Sequence, residues 1–229
     1  MTNTSTHWKH LLFFLFPMCI LLYICIMDEK KLEILERASI VYMKFGVKSV
    51  TMDDLAKELA ISKKTIYKYF KDKHELVREI ISMKVSMDSA LCINCKQTSS
   101  NAIDALIKIS HLVIEQLTNI NPTVFYDLQK FHPDAWSIMK EHKWTFVHSM
   151  IKENIKRGIS EGLYRANLNP NIAAKLYVAS TDNIMNMSIF PWPEFKFQDV
   201  FSEMINIQIN GMANDEGRKH LKQYLENEK

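Results

Sequence analysis

Glycine and proline are scarce in this chain, at five and six among 229 residues. No stretch sustains the period-two alternation of a half-buried strand. Gly46, Gly158, Gly162, Gly211 and Gly217 each fall where a helical pattern breaks, the usual place for glycine in an all-helical protein. These absences point to an all-α fold. Cysteine is also sparse, with Cys19, Cys25, Cys92 and Cys95. The pair Cys92 and Cys95 has CxxC spacing, but no second such pair and no His-x₃₋₅-His run completes a metal site. The pair reads as reduced thiols on a helix. His111, His132, His142 and His148 show no i,i+4 spacing, and no P-loop, nucleophile elbow or HExxH run is present. The sequence therefore predicts no metal site, no cofactor and no enzymatic activity.

Net charge is small too, at +3, so the average says little about partners. Its distribution says more. Between Ser62 and Lys73, Lys63, Lys64, Lys68, Lys71 and Lys73 face a single Asp72, a local +4 that leaves the rest of the chain at −1. An apolar share of 47% and a charged share of 24% belong to a globular chain rather than a disordered one.

Residues 11–26, "LLFFLFPMCILLYICI", carry no charge. A membrane span needs about 20 such residues, and Pro17 interrupts these. A short anchor, a signal-like segment and translated sequence ahead of a start at Met27 all fit; the last is favoured, because a capped acidic helix begins at once after Met27. The expected location is cytoplasmic, with an inner-membrane anchor as the alternative if residues 11–26 are translated. The expected organisation is a 1–26 extension, an N-terminal domain over 27–80 and a larger domain over 81–229.

From Asp28 to Phe45, Ile34, Ala38, Val41 and Phe45 recur at helical spacing, with Leu35 and Tyr42 widening the stripe. Thr51 with Asp54 predicts a capping box for a second helix whose apolar face is Met52, Leu55, Ala56 and Leu59. Ser62 opens a third helix. Asp72, with Glu75 as its box partner, opens a fourth through Leu76, Val77 and Ile80. Two short helices joined by a tight turn form a helix-turn-helix pattern, and with the first helix they predict an N-terminal three-helix bundle. In that unit Ile66 and Phe70 face the bundle while Lys63, Lys64, Tyr67 and Lys68 face a duplex. Lysines neutralise phosphates, helix N-termini at Met52 and Lys63 offer backbone N–H groups, and the first turn of the recognition helix reaches base edges. A solvated basic face without a partner is the competing reading of the lysines alone.

These residues resemble the tetracycline-repressor (TetR) family of bacterial transcriptional regulators. The resemblance rests on Gly46, Thr51, Leu55-Ala56, Ser62, Thr65-Ile66-Tyr67, Tyr69-Phe70, Lys73 and Leu76, and covers roughly residues 32–80. His74 stands where the family often has an acidic residue. The resemblance implies that Thr51 and the start of the second helix hold phosphate, that Lys63, Lys64 and Thr65 approach bases, and that Tyr67, Tyr69 and Lys73 bind backbone phosphate. The candidate DNA-contacting set is Thr51, Met52, Ser62, Lys63, Lys64, Thr65, Tyr67, Lys68, Tyr69 and Lys73, with double-stranded DNA as partner.

The second half reads as further helices starting near Asn101, Pro170 and Asp215, with spans near 134–157, 170–188 and 198–210. Phe125, Tyr126, Phe131, Trp136, Met139 and Trp144 either line an effector pocket or belong to the core. The stretches at 157–184 and 209–225 are similar to the family's later helices, which implies a homodimer built on the last two long helices. Leu176, Ile184, Phe201, Met204, Ile205 and Gln208 are the candidate interface residues. The reading is a homodimeric, ligand-responsive regulator, most simply a repressor at a palindromic operator, with an unidentified small-molecule effector. A membrane-tethered regulator and a helical enzyme or carrier without DNA binding are the alternatives.

Overall fold

The structure is a computed structural model that describes residues 28–227, except 119, 122, 185, 187 and 192. The expectations for residues 1–26, including Cys19 and Cys25, lie outside the described residues. The helices are α1 (Glu29–Phe45), α2 (Met52–Leu59), α3 (Lys63–Tyr69), α4 (Lys73–Gln97), α5 (Ala102–Thr118), α6 (Thr123–Phe131), α7 (Pro133–His142), α8 (His148–Ser160), α9 (Pro170–Ile184), α10 (Phe197–Met212) and α11 (Asp215–Asn227). A π-helical turn, Lys143–Val147, joins α7 to α8. Among the described residues there is no strand, only an isolated bridge between Tyr164 and Ala213. No helix among them is long and apolar enough to cross a membrane.

Two apolar cores organise these helices. The first gathers Ile34, Leu35, Ala38 and Tyr42 of α1, Leu55 and Leu59 of α2, Ile66 of α3, Phe70, and Leu76, Val77 and Ile80 of α4. Its α1 stripe is rotated from the predicted one: Val41 is half-buried and Phe45 is 47% exposed, while Ser39 turns inward beside Leu35 and Tyr42, which are buried as expected. Val124 and Leu128 of α6 and Ala135 of α7 complete this core. The boundary placed at residue 80 therefore falls inside α4, a single 25-residue helix whose first half lines the first core and which also packs against α5. The second core packs α5, α8, α9 and α10 around Tyr164, with Leu221 of α11.

Hydrogen bonds tie α6 to the first unit. The buried Asp127 carboxylate accepts the Lys48 N–H at 2.8 Å, and the Asn121 N–H donates to the Met43 carbonyl at 2.7 Å. His132, buried where α6 meets α7, lies with its ring 4.6 Å from that of His74 on α4. Burial, with His74 and Lys73 adding to it, pushes the His132 imidazole down to about 4, so it is neutral near pH 7.

The predicted helix over 134–157 is present but interrupted. The π turn inserts at residues 143–147, and α8 runs past Gly158 to Ser160. Only Gly46 (φ +88) and Gly162 (φ +71) occupy backbone that needs glycine's freedom. Gly158 instead lies within α8, where a Cβ would come 2.2 Å from the Tyr164 ring. Cys92 and Cys95 are free thiols on α4, and burial raises Cys92 to about 12, which keeps it protonated.

Candidate nucleic-acid interface

Three consecutive caps shape the helix-turn-helix. The Thr51 hydroxyl accepts the Asp54 N–H at 3.2 Å, and the Asp54 carboxylate accepts the Thr51 N–H at 3.0 Å, closing the capping box. The Thr51 hydroxyl and amide hold the Asp54 carboxyl below its ordinary range. Ser62 Oγ accepts the Thr65 N–H at 3.0 Å and starts α3. Asp72 accepts the Glu75 N–H at 2.9 Å and starts α4. The predicted box at Asp72 closes differently, because Glu75 accepts the Lys71 N–H rather than that of Asp72. Ala60 turns the chain between α2 and α3 in left-handed backbone (φ 54), and the Arg37 guanidinium donates to the Leu59 carbonyl at 2.7 Å to finish α2.

The caps set the two faces of α3. Ile66 has no exposed surface, and neither does Phe70, which follows the helix. Lys63, Lys64, Tyr67 and Lys68 project into solvent, with Tyr67 45% exposed. Lys64 and Lys68 form no ion pair among the described residues, and Lys68 lies over the Tyr69 ring at 5.2 Å. Lys63 pairs with Asp53 of α2 at 2.9 Å, and that bond raises its pKa. This pairing across the turn carries no signal at a spacing of ten residues in the chain.

Three members of the candidate set are placed differently from the outward group. The Met52 side chain is buried in the first core, which leaves only its backbone amide at the start of α2. Tyr69 is half-buried against the same core. Lys73 is committed inward: its ammonium donates to the Val50 carbonyl at 2.6 Å and sits over the Tyr42 ring at 5.5 Å. Desolvation lowers its pKa despite Asp127 and Asp54 nearby. Ser62 and Thr65 keep exposed or half-exposed hydroxyls 2.8 Å apart.

Residues 34–80 match the model of the family described as bacterial regulatory proteins, tetR family. The chain is 31% identical over 163 residues to the HTH-type transcriptional regulator YhgD of Bacillus subtilis (strain 168), covering 66% of this chain and 82% of that one. The chain belongs to the tetR family. It is 24% identical over 175 residues to the B. subtilis regulator YvaF, covering 73% of this chain and 88% of the relative. A transcriptional regulator from Saccharomonospora viridis, solved in complex with choline, shares the fold with a TM-score of 0.68 at 17% identity, covering 82% of this chain and all of that one. As a tetR-family member the chain is a DNA-binding transcription regulator.

In this tetR-family chain the predicted effector residues do not converge. Tyr126 is 52% and Trp144 40% exposed, Trp136 and Met139 pack on the first core, and Phe131 meets Tyr126 edge-on at 6.5 Å. Phe125 is half-buried on α6. The π turn carries Trp144 onto the surface, and α6 spends its apolar face on the first core. The predicted dimer residues divide as well. Phe201 and Ile205 point into the protomer's own second core, whereas Leu176 is 60% exposed. Ile184, Met204 and Gln208 line an open groove of about 550 Å³ between α9 and α10. Gln208 also lies 3.4 Å from Ser180 within the protomer. Ile172 and Ile207, 58% and 61% exposed, were not in the predicted set.

Proposed function

We propose that this regulator is a ligand-responsive homodimer that represses transcription by reading a palindromic operator with α3. The observation that carries the reading is the division of α3: Ile66 is wholly buried while Lys64, Tyr67 and Lys68 stand free on the opposite face. A duplex supplies the phosphates those lysines lack. In this reading Thr51 and the α2 amide of Met52 flank the groove, Ser62, Lys63, Lys64 and Thr65 enter it, and Tyr67, Lys68 and Tyr69 hold its edges. Lys73 supports the Thr51 loop from behind.

Dimerisation draws on the aliphatic face of α9 and α10. Ile172, Leu176 and Ile207 leave apolar surface in water beside the groove, and a twin pair of helices would cover it. Two-fold symmetry then matches a palindrome. Ligand response draws on the second domain, where Asp88 Oδ1 and His148 Nε2 are buried without a hydrogen-bond partner. An effector with polar groups to share would satisfy them.

The test is sedimentation and gel shift of the chain from Met27 onward with DNA from upstream of its own gene, across a salt series. The expected result is a dimer whose affinity falls steeply with salt. Leu176→Lys with Ile207→Lys should give monomers with much weaker operator binding. A monomeric wild type that binds as tightly as any variant would count against the dimer, and binding indifferent to salt would count against the α3 face.

A further inference from the structure

A second basic surface lies where the two cores meet, away from α3. Lys48, in the loop between α1 and α2, comes together with Lys130 near the end of α6 on one ring, and Lys44 stands in the last turn of α1. All three are exposed, and none forms an ion pair among the described residues. Elsewhere lysines 30, 31, 63, 108, 143, 156 and 219 each rest on a carboxylate. Here the partners are aromatic rings. Lys48 Nζ sits 4.7 Å and Lys130 Nζ 5.5 Å from the centre of the same Phe131 ring, Lys130 also donates to the Tyr126 hydroxyl at 2.8 Å, and Lys44 lies 5.0 Å over Phe45.

A ring face holds an ammonium in place without cancelling its charge. Two cations are thus kept close on one ring with no anion between them. The adjacent carboxylate of Asp127 is turned inward to the Lys48 N–H, and Asp134, four residues beyond Lys130, makes no ion pair with it. Lys48 stands three residues before Thr51, and the Lys73 ammonium at the start of α4 lies 3.5 Å from its carbonyl, so this surface runs on to the start of α2. That continuity, together with uncompensated charge, selects the partner.

We infer that Lys48 and Lys130 form a second phosphate-binding patch that carries the duplex footprint past the helix-turn-helix and onto the effector domain. The inference rests on the reading of α3 as the DNA-facing helix. Its consequence is that α6, which is hydrogen-bonded to the loop before α2, touches DNA itself, so a shift of α6 changes DNA affinity directly.

The experiment measures binding of the full chain to a random-sequence duplex several helical turns long, against salt concentration. Each phosphate contact contributes about 0.9 to the slope of log affinity against log salt. The double variant Lys48→Gln with Lys130→Gln should lower that slope by nearly 2 for each chain bound, or nearly 4 for a dimer, and Phe131→Leu, which keeps both charges but removes their ring, should weaken binding less with the slope largely kept. Lys64→Gln with Lys68→Gln serves as the comparison on α3. If only the α3 variant loses slope, the patch is not a DNA contact and the α3 reading stands. If the wild type itself shows no salt-dependent binding, both fall.

Discussion

The two cores of this molecule are specified in different ways. Around the first, α1 to α4 each begin at a residue whose side chain accepts a backbone N–H: Asp28, Thr51, Ser62 and Asp72. Around the second, capping is partial: Asn101, Asn169 and Asn214 accept backbone N–H groups at the starts of α5, α9 and α11, but α8 follows a π turn without a side-chain cap, and α10 begins at Lys196 without one. Its turns also rely on close approach, such as Tyr164 against Gly158 and the Leu163 carbonyl against Gly217. The DNA-facing unit is set by local chemistry repeated at every helix start, so its geometry survives changes elsewhere. The second core depends more on contacts between distant segments, such as the Tyr164 and Gly158 pair.

The sharpest way to break the comparison is in the first core itself. Phe70→Ala empties a fully buried position and should cost about 3–5 kcal/mol in denaturant unfolding, with loss of DNA binding. Next is Gly158→Ala, which drives a Cβ into the Tyr164 ring and should cost about 1–3 kcal/mol while leaving the isolated recognition surface intact. A loss of DNA affinity equal to the loss of stability would show that the two cores are not separable. Thr51→Ala removes one cap and should cost about 1 kcal/mol. If the local signals are as redundant as the four caps suggest, circular dichroism of that variant will show no change in helix content. The smallest effect is expected at Ala60→Gly, where relief of left-handed backbone should raise stability by at most about 1 kcal/mol. A fall in melting temperature there would mean that chain entropy outweighs the strain.

Much of the first unit was legible because its signals are short-range. A Thr followed three residues on by Asp, or a Ser before Lys-Lys-Thr-Ile, reports a helix start through bonds made within one turn. The alternation of Ile66 and Phe70 with lysines likewise reports two faces without any knowledge of what they meet. The inward commitment of Lys73 was not legible, since the Val50 carbonyl that holds it lies 23 residues away in the chain. Nor was the burial of Phe201 and Ile205 distinguishable from a partner-facing stripe, because both use the same residue types at the same spacing. The aromatic run from Phe125 to Trp144 scattered for a related reason: it is divided among α6, α7 and the π turn, so its side chains do not share one helix face.

The sequence by itself determined an all-helical chain, the caps of its first four helices, and a basic face on α3 backed by apolar residues. These follow from interactions within a turn or two of helix, where spacing along the chain is spacing in space. Only the tertiary structure decided that α6 and α7 join the first core, that α6 is hydrogen-bonded to the loop before α2, and that Lys48 and Lys130 share one ring. Those contacts join residues tens of positions apart, and no periodicity in the chain encodes which distant segments meet.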